Sequence, residues 1–190
     1  EDGIRNLYVY SQLLLCISSN DAVYGSNDTQ PKFFSKWIEK FNSDKEEAEY
    51  KSKLKEIKNK PLSQKQTDEL FADRFKYVRN YFDELGKAEI QPTVQDEYLY
   101  NLCRPERLMD LSFNYILFED NIKKITRYQQ FFAIKKSMQR IKNVENGKRK
   151  GGVIWHTQGS GKSLTMVMLA QAIAMEPSIR NPKIVLVTDR

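Results

Sequence analysis

The stretch GGVIWHTQGSGKSLTM, Gly151 to Met166, limits this chain's fold more than any other. It sets a short apolar run, a glycine-bearing turn and a long apolar run in direct succession. GGVIW reads as a strand and HTQGSGKS as a loop. LTMVMLAQAIAM is apolar nearly all round, as in a helix covered on several sides. After a break containing Pro177 and Pro182, KIVLVT is a continuous β-branched run, the pattern of a buried parallel strand. Strand, glycine loop, helix and strand form a βαβ unit, the context that a phosphate-loop match requires.

The loop chemistry assigns a role to each position. Backbone N–H groups of Thr157, Gln158, Gly159, Ser160 and Gly161 are placed to cradle phosphate oxygens at a helix start. Gly159 and Gly161 let the backbone turn and approach closely, with no Cβ in the way. Lys162 brings a positive charge to the β and γ phosphates, and the Ser163 hydroxyl is the expected Mg²⁺ ligand. ATP and Mg²⁺ are therefore the expected cofactors. His156 stands where the outer glycine of such loops is usually found and reads as a loop-shaping residue at a strand end. A chance glycine turn before a buried helix is the competing reading, and the agreement of motif with context weighs against it.

Composition narrows the classes further. Of 190 residues, 40% are hydrophobic and 12% aromatic, enough for a packed core rather than a disordered chain. A net charge of +6 leans toward polyanionic partners, though an ordinary basic surface accounts for it equally well. Cys16 and Cys103 have no ligand spacing and suit a reducing, cytoplasmic setting. His156 is the sole histidine, which excludes a His-based zinc site. No apolar run reaches the roughly 18 residues that span a bilayer, so no membrane partner is expected. The opening EDGIRN is not a signal peptide, and both ends read as cut.

Ahead of the loop, residues 5–25 read as a strand or helix followed by a second short strand ending near Gly25. Residues 43–86 read as a charged helical hairpin. Ser43 with Glu46 and Ser63 with Gln66 have capping-box spacing, Pro61 stops the first helix, and Phe71, Phe75, Val78, Phe82 and Leu85 form a stripe ending at Gly86. Residues 87–103 read as irregular or a short pairing. Pro105 opens a helix through about Leu117. Thr126 and Gln129 give a third cap spacing, for a helix carrying Phe131, Ile134, Met138 and Ile141 and ending at Asn146-Gly147. GKRKGG follows as a basic link, whose Lys148, Arg149 and Lys150 read as a solvated linker ahead of a phosphate contact.

Several of these stretches together resemble one family. GGVIWHTQGSGKSLTM is similar, nearly letter for letter, to the first helicase motif of the restriction (R) subunit of type I restriction-modification enzymes, which are superfamily 2 translocases. RYQQFFAIKK, Arg127 to Lys136, looks like the segment in which arginine, an aromatic and a glutamine meet adenine. KIVLVTDR looks like the start of motif Ia, and LYVYSQLLLCISSNDAVYGS resembles the last part of the nuclease domain.

The resemblance implies a large subunit that uses ATP and Mg²⁺ to pull in double-stranded DNA and cuts it at a distance. Its partners would be the methyltransferase and specificity subunits. Residues 1–42 would be the C-terminal part of a nuclease-like α/β domain, 43–103 a charged helical linker region, and 104–190 the N-terminal part of RecA-like motor domain 1, with a parallel sheet. Gln129 would read adenine; it is also placed as the N3 cap partner of Thr126, and the two roles need not exclude each other. No catalytic residue is expected within these 190 positions. The nuclease carboxylates are expected before residue 1, and the Walker B and arginine-finger residues after residue 190. Asp189 reads as a strand-end or DNA-side residue, not a Mg²⁺ ligand. A superfamily 2 translocase without a nuclease, a small-molecule kinase and a non-catalytic scaffold piece remain as alternatives.

Overall fold

The computed structural model describes residues 8–187, so the expectations for residues 1–7 and for Asp189 lie outside the described residues. The helices are α1 (Asp44–Lys58), α2 (Gln64–Leu70), α3 (Arg79–Leu85), α4 (Val94–Cys103), α5 (Pro105–Asn114), α6 (Tyr128–Lys142) and α7 (Lys162–Met175). The strands are β1 (Leu14–Ile17), β2 (Ala22–Gly25), β3 (Ile116–Glu119), β4 (Ile122–Ile125), β5 (Val144–Glu145) and β6 (Lys148–Arg149). They pair consecutively into three two-stranded sheets, β1 with β2, β3 with β4 and β5 with β6. The chain is thus mixed α/β and divides into two units. One comprises residues 1–16, 23–40 and 105–190, the other residues 17–22 and 41–104.

Two hairpins replace expected helix ends, for the same local reason. Asp120 and Asn121 take φ of 51° and 63°, and Asn146 and Gly147 take 51° and 74°. Two successive left-handed residues make a tight hairpin turn whose twist matches that of its strands, and Asn, Asp and Gly adopt it most readily. The helix opened by Pro105 therefore stops at Asn114, and β3 begins at Ile116 in register with Ile125. Asn146-Gly147, expected as a helix terminus, is a hairpin turn, and α6 ends earlier, at Lys142.

The first unit has an aromatic core. Tyr24, Trp37, Leu111, Tyr115, Phe131, Ile134 and Met168 are buried. Trp37 stands edge-on to both Tyr24 and Phe131, at 5.7 and 5.3 Å between ring centroids. Arg107 of α5 is buried within this cluster. Its guanidinium lies 4.6 Å from the Phe131 ring and 5.0 Å from that of Trp37. Its two terminal nitrogens donate to the Glu39 carboxylate at 3.1 and 2.8 Å, and Trp37 Nε1 donates to the same group at 2.8 Å. A charge taken out of water is tolerated when its partner and hydrogen bonds go with it, and here both do. α6 packs on α7, and α5 packs on α7 and β3.

The second unit is built on α1 and α4. Ser43 and Ser63 cap their helices as their spacing predicts, accepting from Glu46 N and Gln66 N. The stripe from Phe71 to Leu85 is not one continuous helix. α2 ends at Leu70, a 3₁₀ turn spans Asp73–Val78, and α3 begins at Arg79. Residues 94–103, expected to be irregular, form α4, at whose start Thr93 N and Thr93 Oγ1 both donate to Asp96 Oδ2. Asn59 works as a splice: its side-chain amide donates to Ile90 O at 2.9 Å, and its Oδ1 accepts from Ile90 N at 2.7 Å.

The parallel sheet expected around the loop is not formed by the described residues. Residues 151–155 and 183–187 take no strand pairing, and Val153, Trp155, Val185 and Val187 are 91%, 90%, 81% and 89% exposed. A strand of a buried parallel sheet gains its backbone partners from neighbours on each side, and the described residues supply none. α7 has the expected apolar sequence, but within it only Thr165 and Met168 are buried.

A polar contact in each unit contributes to its stability, the Arg107–Glu39 pair being the more buried. Glu39→Gln would leave the Arg107 charge buried and unpaired, and urea unfolding should show a loss of about 3–5 kcal/mol. Asp96 is partly buried, which pushes its carboxyl up. The Lys58 ammonium at 2.8 Å, with the Thr93 N–H and hydroxyl, more than offsets this and holds it below its ordinary 3.8. Its stabilising contribution is thus present above pH 3.8 and lost as pH falls through the lower folded value. Asp96→Asn should cost about 1–2 kcal/mol at neutral pH and flatten that acid limb, as read by urea melts across pH.

Candidate functional site

The loop has the shape its glycines were expected to permit. Ser160 N and Ser160 Oγ both donate to Thr157 O, at 3.3 and 2.7 Å, closing a turn over Thr157–Ser160. Gly159 and Gly161 take φ of 74° and 83°, in the left-handed region where a Cβ is strained. Gly161 is the residue from which α7 starts. The helix start carries no side-chain cap and no acidic residue in its first turn. Its N–H groups and dipole therefore face outward without a competing carboxylate, an arrangement that suits an anion. Lys162 and Ser163 are the first two residues of the helix, both exposed. The donor set (backbone N–H groups, an ammonium and a hydroxyl) fits a polyphosphate, and the Ser163 hydroxyl fits a hard cation beside it.

The glutamine facing the loop is Gln130, not Gln129. α6 starts one residue later than the Thr126–Gln129 spacing implied, with Arg127 preceding its first helical residue. Thr126 is not the cap. It is fully buried and continues β4, donating from N to Tyr115 O at 3.0 Å and accepting at O from Tyr24 Oη at 2.8 Å. The cap partner is accordingly Gln130, whose Oε1 accepts from Arg127 N at 2.8 Å. Gln130 Nε2 points the other way and donates to Gly161 O at 3.0 Å, with Ser160 O at 3.4 Å. It sits so close that a Cβ on Gly161 would lie 2.4 Å from it. Gln130 is 2% exposed, whereas Gln129 is exposed and does not line the cavity beside the loop. The R-x-x-Q spacing of Arg127 and Gln130 was the available signal. Arg is a poor cap residue by type, which favoured the threonine.

That cavity holds about 400 Å³. Its lining comes from three stretches: Gly159–Gly161 with Leu164, residues 122–127 with Gln130, and a segment that includes Tyr24, Asp28 and Phe33. That segment is stitched to β4: Ser26 Oγ donates to Lys123 O at 2.6 Å, and Lys123 N donates to Asp28 Oδ2 at 3.1 Å. Lys123 is itself buried, its ammonium donating to Ser11 O at 3.1 Å. His156 is partly buried, and its Nδ1 has no hydrogen-bond partner among the described residues. Lys148 and Arg149 lie on β6; Arg149 donates to Ile141 O at 2.9 Å, and Lys150 pairs with Glu145. Among the described residues no cluster of His, Cys, Asp and Glu could hold a metal, and no helix is long and apolar enough to cross a membrane.

Comparison with known proteins adds to this geometry. The family described as SWI2/SNF2 ATPase matches residues 129–190, the part that begins at α6 and contains the loop. The type I restriction enzyme HindI endonuclease subunit of Haemophilus influenzae is 32% identical over 197 aligned positions, covering 100% of this chain and 15% of that protein. The chain resembles a segment of type I restriction endonuclease (R) subunits. Two proteins of Methanocaldococcus jannaschii agree. The "Putative type I restriction enzyme MjaIXP endonuclease subunit" is 35% identical across 60% of this chain and 11% of its own length. The "Putative type I restriction enzyme MjaVIIP endonuclease subunit" is 38% identical across 55% and 10%. The chain thus spans about a seventh of the HindI subunit and less of the other two. No solved structure matches.

The one-residue register is testable. Gln130→Ala removes a buried amide that bonds both Arg127 N and the loop carbonyls, and should cost about 1–3 kcal/mol in urea unfolding. Gln129→Ala, at an exposed position, should stay within about 0.5 kcal/mol of the parent.

Proposed function

We propose that this chain is the segment of an ATP-dependent, DNA-translocating and DNA-cleaving type I restriction subunit that carries the ATP phosphate loop. The observation that carries the reading is the joining, at one cavity, of a left-handed glycine turn, an uncapped helix start and the buried Gln130 amide. A ligand with a chain of phosphates and a flat group fits that arrangement better than an isolated anion does. The similarity to HindI-type endonuclease subunits across the whole chain favours this reading over a translocase without a nuclease.

In this reading Thr157, Gln158, Gly159, Ser160 and Gly161 surround the phosphates with backbone N–H groups. Lys162 neutralises the β and γ phosphates, and Ser163 would hold Mg²⁺, which supplies charge neutralisation at the phosphates when bound. Gln129 is the residue that reads adenine, while Gln130, its amide bonded to Arg127 N and Gly161 O, holds the loop against the α6 start. Residues 104–190 are the opening of a RecA-like motor domain with a parallel sheet, residues 43–103 a helical linker region, and residues 1–42 the tail of a nuclease domain. The partners are double-stranded DNA and the methyltransferase and specificity subunits, in the cytoplasm.

The division of labour gives a two-part test. In the full-length protein, Lys162→Ala should abolish ATP binding as read by equilibrium titration. The 190-residue chain alone should bind ATP weakly and show no turnover in a phosphate-release assay. Lysine-dependent hydrolysis by that chain would overturn the assignment of the hydrolytic groups to other parts of the protein.

A further inference from the structure

We propose that Phe33 is the face on which the nucleobase stacks, so that the segment 24–35, far upstream of the loop in sequence, sets the preference for a nucleotide over bare polyphosphate. The inference rests on the phosphate-site reading and names what fills the rest of the same cavity.

Four observations carry it. Phe33 lines the cavity and is 53% exposed, while Tyr24 and Trp37 on either side of it in sequence are buried. The Lys32 ammonium lies over the Phe33 ring at 4.9 Å from its centroid, and the rest of this half-exposed ring is apolar surface at the edge of a pocket that a flat ligand can cover. Its position is fixed by the backbone. Pro31–Phe33 form a 3₁₀ turn, with Phe33 N donating to Gln30 O at 2.8 Å.

The wall that carries Phe33 is anchored at both ends. Tyr24 and Ser35 exchange two backbone hydrogen bonds at 2.9 Å. Ser26, Thr29 and Asp28 close the inner part, with Ser26 N donating to Thr29 Oγ1 at 2.8 Å and Lys123 N donating to Asp28 Oδ2 at 3.1 Å. Gly25 leaves the space this fold needs, since a Cβ there would lie 3.0 Å from Thr29 and 3.1 Å from Phe34. The ring is therefore presented on a pinned wall, so little order has to be gained on binding.

The remaining surroundings suit the edge and second face of a base. Ile122, Ile125 and Leu164 line the same cavity. Its volume of about 400 Å³ lies within the roughly 300–1,000 Å³ of small-molecule pockets. With phosphates at Gly159–Gly161, a ligand can extend into this space only through what it carries beyond the phosphates. For a nucleotide that is the sugar and base.

The test titrates full-length protein with ATP and, separately, with inorganic tripolyphosphate. Phe33→Ala should weaken ATP binding about tenfold, the lower range of a base–aromatic stack, and leave tripolyphosphate affinity within about twofold. Phe33→Tyr, which keeps the ring, should retain ATP affinity. Unchanged ATP affinity in Phe33→Ala overturns the proposal, as does an equal loss for both ligands or failure of Phe33→Tyr to retain binding. Wild-type protein that binds tripolyphosphate with no gain for ATP overturns the base pocket alone. Wild-type protein that binds neither overturns the phosphate-site reading beneath it.

Discussion

The side-chain amide of Gln130 is the joint on which the site depends. One end accepts from Arg127 N and so fixes where α6 begins. The other end donates to Gly161 O, and so fixes where the loop passes into α7. A buried amide left unpaired at either end costs about as much as a good hydrogen bond stabilises, so the two helix starts hold each other in register. The packing of α6 on α7 extends this registration along both helices. The Arg107–Glu39 pair secures the α6 side from behind, since the Arg107 guanidinium lies against the ring of Phe131, the residue after Gln130.

The loop itself was readable from sequence because its signals are local. Glycine spacing, the lysine and serine, and the apolar run that follows determine a turn and a helix start within a dozen residues. The serine caps at Ser43 and Ser63 were readable for the same reason: each is settled between a side chain and a backbone N–H three residues on. The start of α6, and with it the cap partner, was misplaced by one position through a competition that is not local. Thr126 has the better intrinsic preference for a cap. Its backbone is instead claimed by Tyr115 and Tyr24, the latter from more than a hundred positions away. Continuing β4 by one residue delays the helix by one, and one residue turns a helical side chain by about 100°. That rotation puts Gln129 outside and Gln130 against the loop.

Two other differences have separate causes. Asp120-Asn121 and Asn146-Gly147 each sit after a run that is helix-compatible by period, and the turn chemistry overrode the period by taking two left-handed residues in succession. The two apolar runs around the loop carry the pattern of buried parallel strands, and that pattern states an environment, not a partner. Val153 and Trp155 before α7, and Val185 and Val187 after it, are left facing outward. Sequence pattern predicts that such residues will be covered, and the described residues supply no strand that covers them.

The cavity explains why the loop match is only part of the site. The SWI2/SNF2 ATPase match begins at residue 129 and takes in Gln130, the loop and Leu164. The rest of the lining comes from residues 24–35 and from β4 with the residues just after it, all of which precede the match. These parts are joined to one another by Tyr24 to Thr126, Ser26 to Lys123 and Asp28 to Lys123, bonds that cross about a hundred positions of sequence. No spacing rule written on contiguous residues can find such a wall, because the stretch between its parts, residues 41–104, belongs to the other unit. A ligand in the cavity would touch a segment continuous with the β1–β2 hairpin on one side and the start of α7 on the other.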